Sequence, residues 1–365
     1  MIRSKVWIYF VAILLLTGLA HADVWKQIHP GGTIPSARSG HTLVEINNKI
    51  YLFGGESADT STLEDSAGTS TLEESVFVYD PNLAVWSPVE PANNPPPARK
   101  NHSAVALGEK MYILFGEGNQ GSLLQDIWVY DPLSKEWQEQ VVSSVSKPDA
   151  RTGHSTVVMY GQIFIYGGKT TTGVVNDLWS FDLRSKTWVK RENGGIPVYG
   201  HKAIADTGTK MYVHGGTSAD GSRLPDLRSY DVNTKSWENI DVPGDVPSAR
   251  AFHVATFETN KIKISGGSGY DSTGALTDLG DTWEFDTVAV TWTPKAKVSP
   301  HSFSSAVVVP KSSDSNKVEE SNVFMFVGQR NGQFLNESWI YYPNENPCDK
   351  VEDLAVSPNT LKLKK

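Results

Sequence analysis

The chain has 365 residues, a formal net charge of −8 and a pI near 5.6, which argues against the basic footprint of a nucleic-acid binder. Cys348 is the single cysteine, so no intramolecular disulfide can form and stability must come from packing. Beyond the leader no stretch is long and apolar enough to span a bilayer.

Residues 1–22 read as a secretory signal peptide: Arg3 and Lys5, an apolar run over 6–16, then Ala20-His21-Ala22. That run is too short for a comfortable membrane span, and no cysteine for a lipid anchor follows. The mature protein is expected to begin near Asp23, in a secreted or periplasmic location.

From residue 24 one sentence is written six times. Its openings are PSARSGH (35–41), PARKNH (97–102), ARTGH (150–154), YGH (199–201), PSARAFH (247–253) and SPH (299–301). Apolar runs then end at Gly55, Gly116, Gly168, Gly216, Gly267 and Gly328. An aromatic phrase such as VFVYD or IWVYD follows, and after it a lone tryptophan. A period of about 50 residues with four short strands, here called a to d, predicts one blade of a β-propeller per unit. Alternation marks the strands, and the glycine pairs mark turns that leave no room for a side chain.

The sixth unit has strands a, b and c but no fourth-strand tryptophan after Tyr342. Trp25 precedes the first opening phrase, so the N-terminal segment is expected to supply strand d of the last blade and close the ring. The spaced tryptophans (25, 86, 137, 188, 237 and 292) then pack blade against blade. The propeller is expected over 23–343. Residues 344–365 read as a linker and tail, or as the start of a truncated C-terminal module.

An antiparallel a–b–c–d meander sends the d–a and b–c connections to one face. The c–d turns are nearly uniform, whereas the b–c loops vary from a few residues in unit 6 to the stretch 56–74 in unit 1. Variation on one face of a regular scaffold is where recognition usually lives. The unit-1 loop holds a local duplication, 60–68 followed by 69–75, which reads as a solvated insertion. The long a–b connection of unit 6, 310–321, lies on the opposite face.

Arg38, Arg99, Arg151 and Arg250 recur three residues before a histidine, while units 4 and 6 carry Val198 and Val298 there and Tyr199 comes next in unit 4. With Tyr199 these arginines are the candidate ligand-binding residues at the channel mouth, since guanidinium forks suit carboxylates and phosphates. A second role fits the same spacing: each arginine tied to a carboxylate or carbonyl in its own or a neighbouring blade. The six repeat histidines (41, 102, 154, 201, 253 and 301) read as scaffold hydrogen-bonding groups, because a metal needs converging ligands rather than one residue echoed per blade. Asp126, Asp177, Asp226 and Asp281 open strand c, and Asp80, Asp131, Asp182, Asp231 and Asp286 end it as turn formers. No zinc, nucleotide or serine-hydrolase motif is present, and no metal, cofactor or catalytic residue is expected. Two sequons, at Asn101 and Asn336, matter only in a eukaryotic source.

The double glycine, the Tyr-Asp or Phe-Asp and the spaced tryptophan resemble kelch repeats over 24–342. The resemblance implies an all-β, six-bladed kelch-type β-propeller closed by an N-terminal strand, serving as an interaction platform through its d–a and b–c loops. The Pro-x-x-Arg-x-x-His opening is similar to the subgroup of Rab9-effector-like, tip-elongation and plant specifier proteins. Galactose oxidase-like enzymes use a tyrosine–cysteine crosslink at copper, and Cys348 lies beyond the last blade. Nitrile-specifier proteins carry an iron-binding Glu-x3-Asp-x3-Cys motif that this chain lacks. Secreted sialate mutarotases (N-acetylneuraminate epimerases) share the architecture, at the level of fold alone. The reading is a secreted scaffold, expected to be monomeric, that binds a protein or an acidic or glycan ligand. A carbohydrate-active enzyme of the mutarotase type is the alternative.

Overall fold

The computed structural model describes residues 22–58, 70–309 and 321–345. The leader before Ala22, the first copy of the duplicated segment, the connection after Val309, Cys348 and residues 346–365 lie outside them. The described residues contain no α-helix and form six sheets of four principal strands. Each is a meander, as in Ser103–Leu107, Lys110–Glu117, Leu123–Asp131 and Glu136–Glu139. The innermost strands touch in the order Thr42–Ile46, Ser103–Leu107, Ser155–Met159, Lys202–Ala205, Val254–Glu258 and Ser305–Val309, and the last touches the first. The sheets therefore stand as six blades around an axis, and the fold is the all-β propeller that the repeats predict.

Burial explains the sequence of each blade. Second strands such as Gln162–Thr170 are covered on both faces by neighbouring blades, so they read as continuous apolar runs. Outer strands bury a single residue, as Glu136–Glu139 buries only Trp137, which is why the tryptophan stands alone. Each indole packs on the aromatic of its own third strand, as Trp137 does on Tyr130 and Trp188 on Phe181. It also reaches the second strand of the preceding blade: Trp137 meets Phe53, Trp188 meets Phe115 and Trp237 meets Tyr166.

Ala22–Ile28 pairs antiparallel with Ser338–Glu345, placing Trp25 opposite Tyr341 as the outer strand of the sixth sheet. The Trp25 indole donates to Thr282 Oγ1 of blade 5 at 2.9 Å, and Asp23 meets Lys295 of that blade at 3.1 Å.

The sixth blade corrects one alignment. Gly116, Gly168 and Gly216 each donate their N–H to the carbonyl at the arginine position of the next blade, that is Arg151, Val198 and Arg250. Gly267 makes the same bond to His301. His301 therefore holds the arginine position, rather than Val298, and Ser304 holds the histidine position. The cause is three residues of extra length before the inner strand Ser305–Val309.

The same alignment exposes a closed belt around the axis. Asn101 N–H donates to Gly40 C=O, Gly153 to Asn101, Gly200 to Gly153, Phe252 to Gly200, Phe303 to Phe252 and Gly40 to Phe303, all at 2.6–3.2 Å. All six residues lie in the left-handed region, with φ between 50° and 67°. Glycine does this freely, whereas Asn101, Phe252 and Phe303 adopt it at a cost that the belt offsets.

Replacing Trp25 with alanine should remove about 3–5 kcal/mol of stability. Melting temperature and limited proteolysis within Ser338–Glu345 check this, and unchanged melting would separate the N-terminal strand from the integrity of the ring.

Candidate functional site

The arginines come first, because the sequence placed them at the channel mouth. Arg99, Arg151 and Arg250 are fully buried, and each guanidinium is spent inside its own blade. Arg151 binds Asp177 through two nitrogens at 2.6 and 2.9 Å and donates to Gly167 C=O at 2.8 Å. Arg99 treats Asp126 and Phe115 C=O in the same way, and Arg250 does so with Asp281 and Gly266 C=O. The carboxylate is shared: Trp128, Trp179 and Trp283 donate their indole N–H to Asp126, Asp177 and Asp281 at 2.7–2.8 Å. Burial pushes the Asp177 carboxyl up, but Arg151 and the Trp179 indole outweigh it and hold the group below its ordinary range.

Blade 6 rebuilds the arrangement from different residues. Arg330, on the hairpin after the second strand, reaches Glu337 at 3.0 and 3.3 Å, and the Trp339 indole donates to Glu337 at 3.0 Å. In blade 1, Ser75 stands where the aspartate would be. Arg38 turns to Gly54 C=O, Ser75 and Ser36, with Glu73 at 3.8 Å. Burial lowers Arg38 to about 10 against the pull of Glu73. Blade 4 lacks the arginine. Val198 is buried in its place, and Arg228 sits at the tryptophan position over the Tyr166 ring at 5.5 Å. None of the four repeat arginines lines the channel-mouth cavity. Their geometry matches the second role the sequence allowed, a tie between strands of one blade.

Four of the repeat histidines, His41, His102, His154 and His253, are buried rivets between blades. His102 Nε2 meets Thr42 Oγ1 at 2.8 Å, His154 Nε2 meets Ser103 Oγ at 2.7 Å, and His41 Nε2 meets Phe326 C=O at 3.2 Å. His253 Nε2 lies 3.2 Å from Nδ1 of His214, which replaces the aromatic of that second strand. Desolvation, with Arg38 or Arg151 beside them, lowers His41 and His154 to about 3. The aspartates ending strand c cap their turns as expected, Asp131 accepting the Leu133 N–H at 2.9 Å and Asp182 that of Arg184.

What lines the mouth is therefore different. A cavity of about 70 Å³ sits on the axis, walled by the backbone belt, with Asn101, Phe252, Phe303, Ser305 and Lys202 among its side chains. Phe252 and Phe303 stack with ring centroids 4.0 Å apart. Tyr199 stands just outside, edge-on to Phe252 at 5.9 Å, with the exposed Lys169 ammonium 6.0 Å above its ring. Across the face Lys100 bridges Glu56 at 2.8 Å and Glu117 at 3.8 Å. Arg223 donates to Thr217 Oγ1 and Ser268 C=O. The variable loops are ordered into ribbons of their own: Arg38–Ser39 with Glu56–Ala58 and Ser70–Leu72, and Arg250–Ala251 with Ser268–Tyr270 and Leu276–Asp278. Of the residues around the mouth, the sequence marked only Tyr199 as a ligand contact. Lys202 could have been found, since the position after each histidine is Thr42, Ser103, Ser155 or Val254 elsewhere.

These features define a propeller with a narrow polar mouth, a wider apolar bore beneath it and a broad, loop-built face. Comparison with known proteins fixes the family. The profile of the KLHDC2/KLHL20/DRC7 Kelch-repeats domain matches residues 15–198 and 191–359, and the chain belongs to this kelch-repeat family, a class of interaction scaffolds. It is similar to Kelch domain-containing protein 10 of Xenopus tropicalis, 28% identical over 78% of this chain and 72% of that protein. Putative protein tag-53 of Caenorhabditis elegans is 25% identical over 69% of this chain, which spans only 19% of that protein's length. N-(sulfonatooxy)prop-2-enimidothioate sulfolyase of Thlaspi arvense is 25% identical over 67% of this chain and 74% of its own. No helix among the described residues is long and apolar enough to cross a membrane.

Two predictions follow from the buried charges. Arg151→Ala strands the Asp177 carboxylate and should cost on the order of 3 kcal/mol, read as a lower melting temperature. Acid should also destabilise the fold. The unfolded chain protonates its histidines near 6.5, whereas His41, His154 and His214 resist protonation down to about 3. Stability present above pH 6.5 should therefore fall progressively as pH drops toward 3 in a denaturant titration series, and a flat profile would contradict the buried, neutral histidines.

Proposed function

We propose that this protein is a secreted interaction scaffold that binds another protein through its d–a and b–c loop face. The small size of the mouth cavity on the loop face supports this reading. At about 70 Å³ it is far below the roughly 300–1,000 Å³ of ordinary small-molecule sites. On this side of the ring a partner would be met on the face around the mouth, where Tyr199, Phe252 and Lys169 lie beside the ordered loop ribbons, while the apolar bore below, about 360 Å³, offers one carboxylate, Glu45, and no arginine. The mouth offers a lysine and an asparagine, with neither an arginine nor a carboxylate among its lining residues. A sugar acid would need the arginines that are instead locked into the blades, and this supports a scaffold over a mutarotase-type enzyme. Export rests on the leader, and cleavage after Ala22 would leave Asp23 at the new terminus beside Lys295.

A photocrosslinking amino acid at Tyr199, compared with one at Leu133 on the opposite turns, tests the face. Incubated with extracellular fluid of the source organism, the Tyr199 derivative should yield a discrete protein adduct. Adducts from Leu133 alone, or none from Tyr199, would refute the assignment. N-terminal sequencing of the exported chain should begin near Asp23.

A further inference from the structure

One cation in the channel has no answering group among the described residues. Lys202 opens the inner strand Lys202–Ala205 of blade 4, and its side chain lines the mouth cavity. Among the described residues it makes no ion pair and no hydrogen bond. The bore below the mouth is lined by one carboxylate, Glu45, which accepts the Asn48 N–H at 2.6 Å. The histidines beside the cavity are held neutral by burial. Two further donors face the same space. The Asn101 side-chain amide has no partner among the described residues, and Ser305 Oγ accepts the Leu43 N–H at 2.9 Å while its own proton is uncommitted there.

We infer that the channel mouth is a binding site for a small inorganic monoanion, held by Lys202 Nζ with Asn101 and Ser305 as hydrogen-bond donors. Lys202 is half-buried at the mouth, and an ammonium partly desolvated there with no counter-charge among the described residues is neutralised by a bound anion, which also fills the polar space. The cavity's 70 Å³ admits a halide or a few-atom oxyanion and excludes a sugar or an amino acid. The belt of backbone hydrogen bonds has no spare N–H, so the side chains must supply the binding. This site does not rest on the loop-face reading, because its ligand lies inside the ring.

Proton linkage follows. Desolvation lowers Lys202 to about 8, and the groups that act on it across the channel, His41, His201 and His253, carry no charge at that pH. Anion affinity should hold below pH 8 and fall about tenfold per unit above it, as the free protein loses the ammonium proton.

The experiment titrates sodium bromide against sodium gluconate, an anion too large for the cavity, at constant ionic strength. The melting temperature of the wild type should rise saturably with bromide alone. Lys202→Met should lose that response and melt higher than the wild type in gluconate. Crystals of the wild type grown in bromide should show anomalous density at Lys202 Nζ, a result independent of whether the variant folds. Equal shifts by both anions, a Lys202→Met variant that keeps the bromide response, or no bromide in the channel would overturn the site.

Discussion

Six backbone hydrogen bonds passed from blade to blade around the axis set the register of everything else in this molecule. Each joins the residue two positions before one inner strand to its counterpart in the next blade, and the last bond, Gly40 to Phe303, returns to the start. Because every member is left-handed, the chain enters each inner strand at the same angle. That common entry places the glycine turns under the histidines, where an added Cβ at Gly54 or Gly167 would lie within 3 Å of His102 or His201. The histidines can then bridge to the preceding blade, and the tryptophans can seat on its second strand. A propeller has no single core. Its stability is the sum of such inter-blade seams, and the ring geometry ties each to the others.

The charged groups follow the same economy. An arginine, a carboxylate and an indole form one unit beneath the loop face in blades 2, 3, 5 and 6, although the sixth draws its arginine from a different place. The unit fastens strand c to the segment entering strand a, and so holds the base of each b–c loop. Buried guanidiniums need such partners, because the desolvation cost of a lone charge exceeds what one hydrogen bond returns. The loop face can therefore vary in length and sequence above a foundation that does not. Lys202 departs from this rule, a charge at the channel mouth with no companion among the described residues.

Much of the blade pattern was legible in the sequence, since strand period, glycine pairs and spaced tryptophans all report local geometry. The missing fourth strand pointed to Trp25, and the backbone pairing of Ala22–Ile28 with Ser338–Glu345 lies where that gap required it. The arginines were harder to read. Spacing identifies equivalent positions but not whether a side chain leaves the sheet or folds back under it. The signal was nonetheless present as the carboxylate two residues before each third-strand tryptophan: Asp126, Asp177, Asp281 and Glu337. His301 misled because it fell near the expected interval. Counting back from the inner strand, rather than forward from the previous histidine, places Ser304 in the slot. Arg330 and Lys202 escaped because each occurs once, and repetition is what makes a position visible.

Amide hydrogen exchange at Gly40, Asn101, Gly153, Gly200, Phe252 and Phe303 tests the closed belt most directly. All six N–H groups should exchange together, at the slowest rate in the molecule, because none can open without parting two blades. Rapid exchange at Gly40 with the other five protected would mean that the first and last blades are not joined at the axis, and the account of the ring would fail.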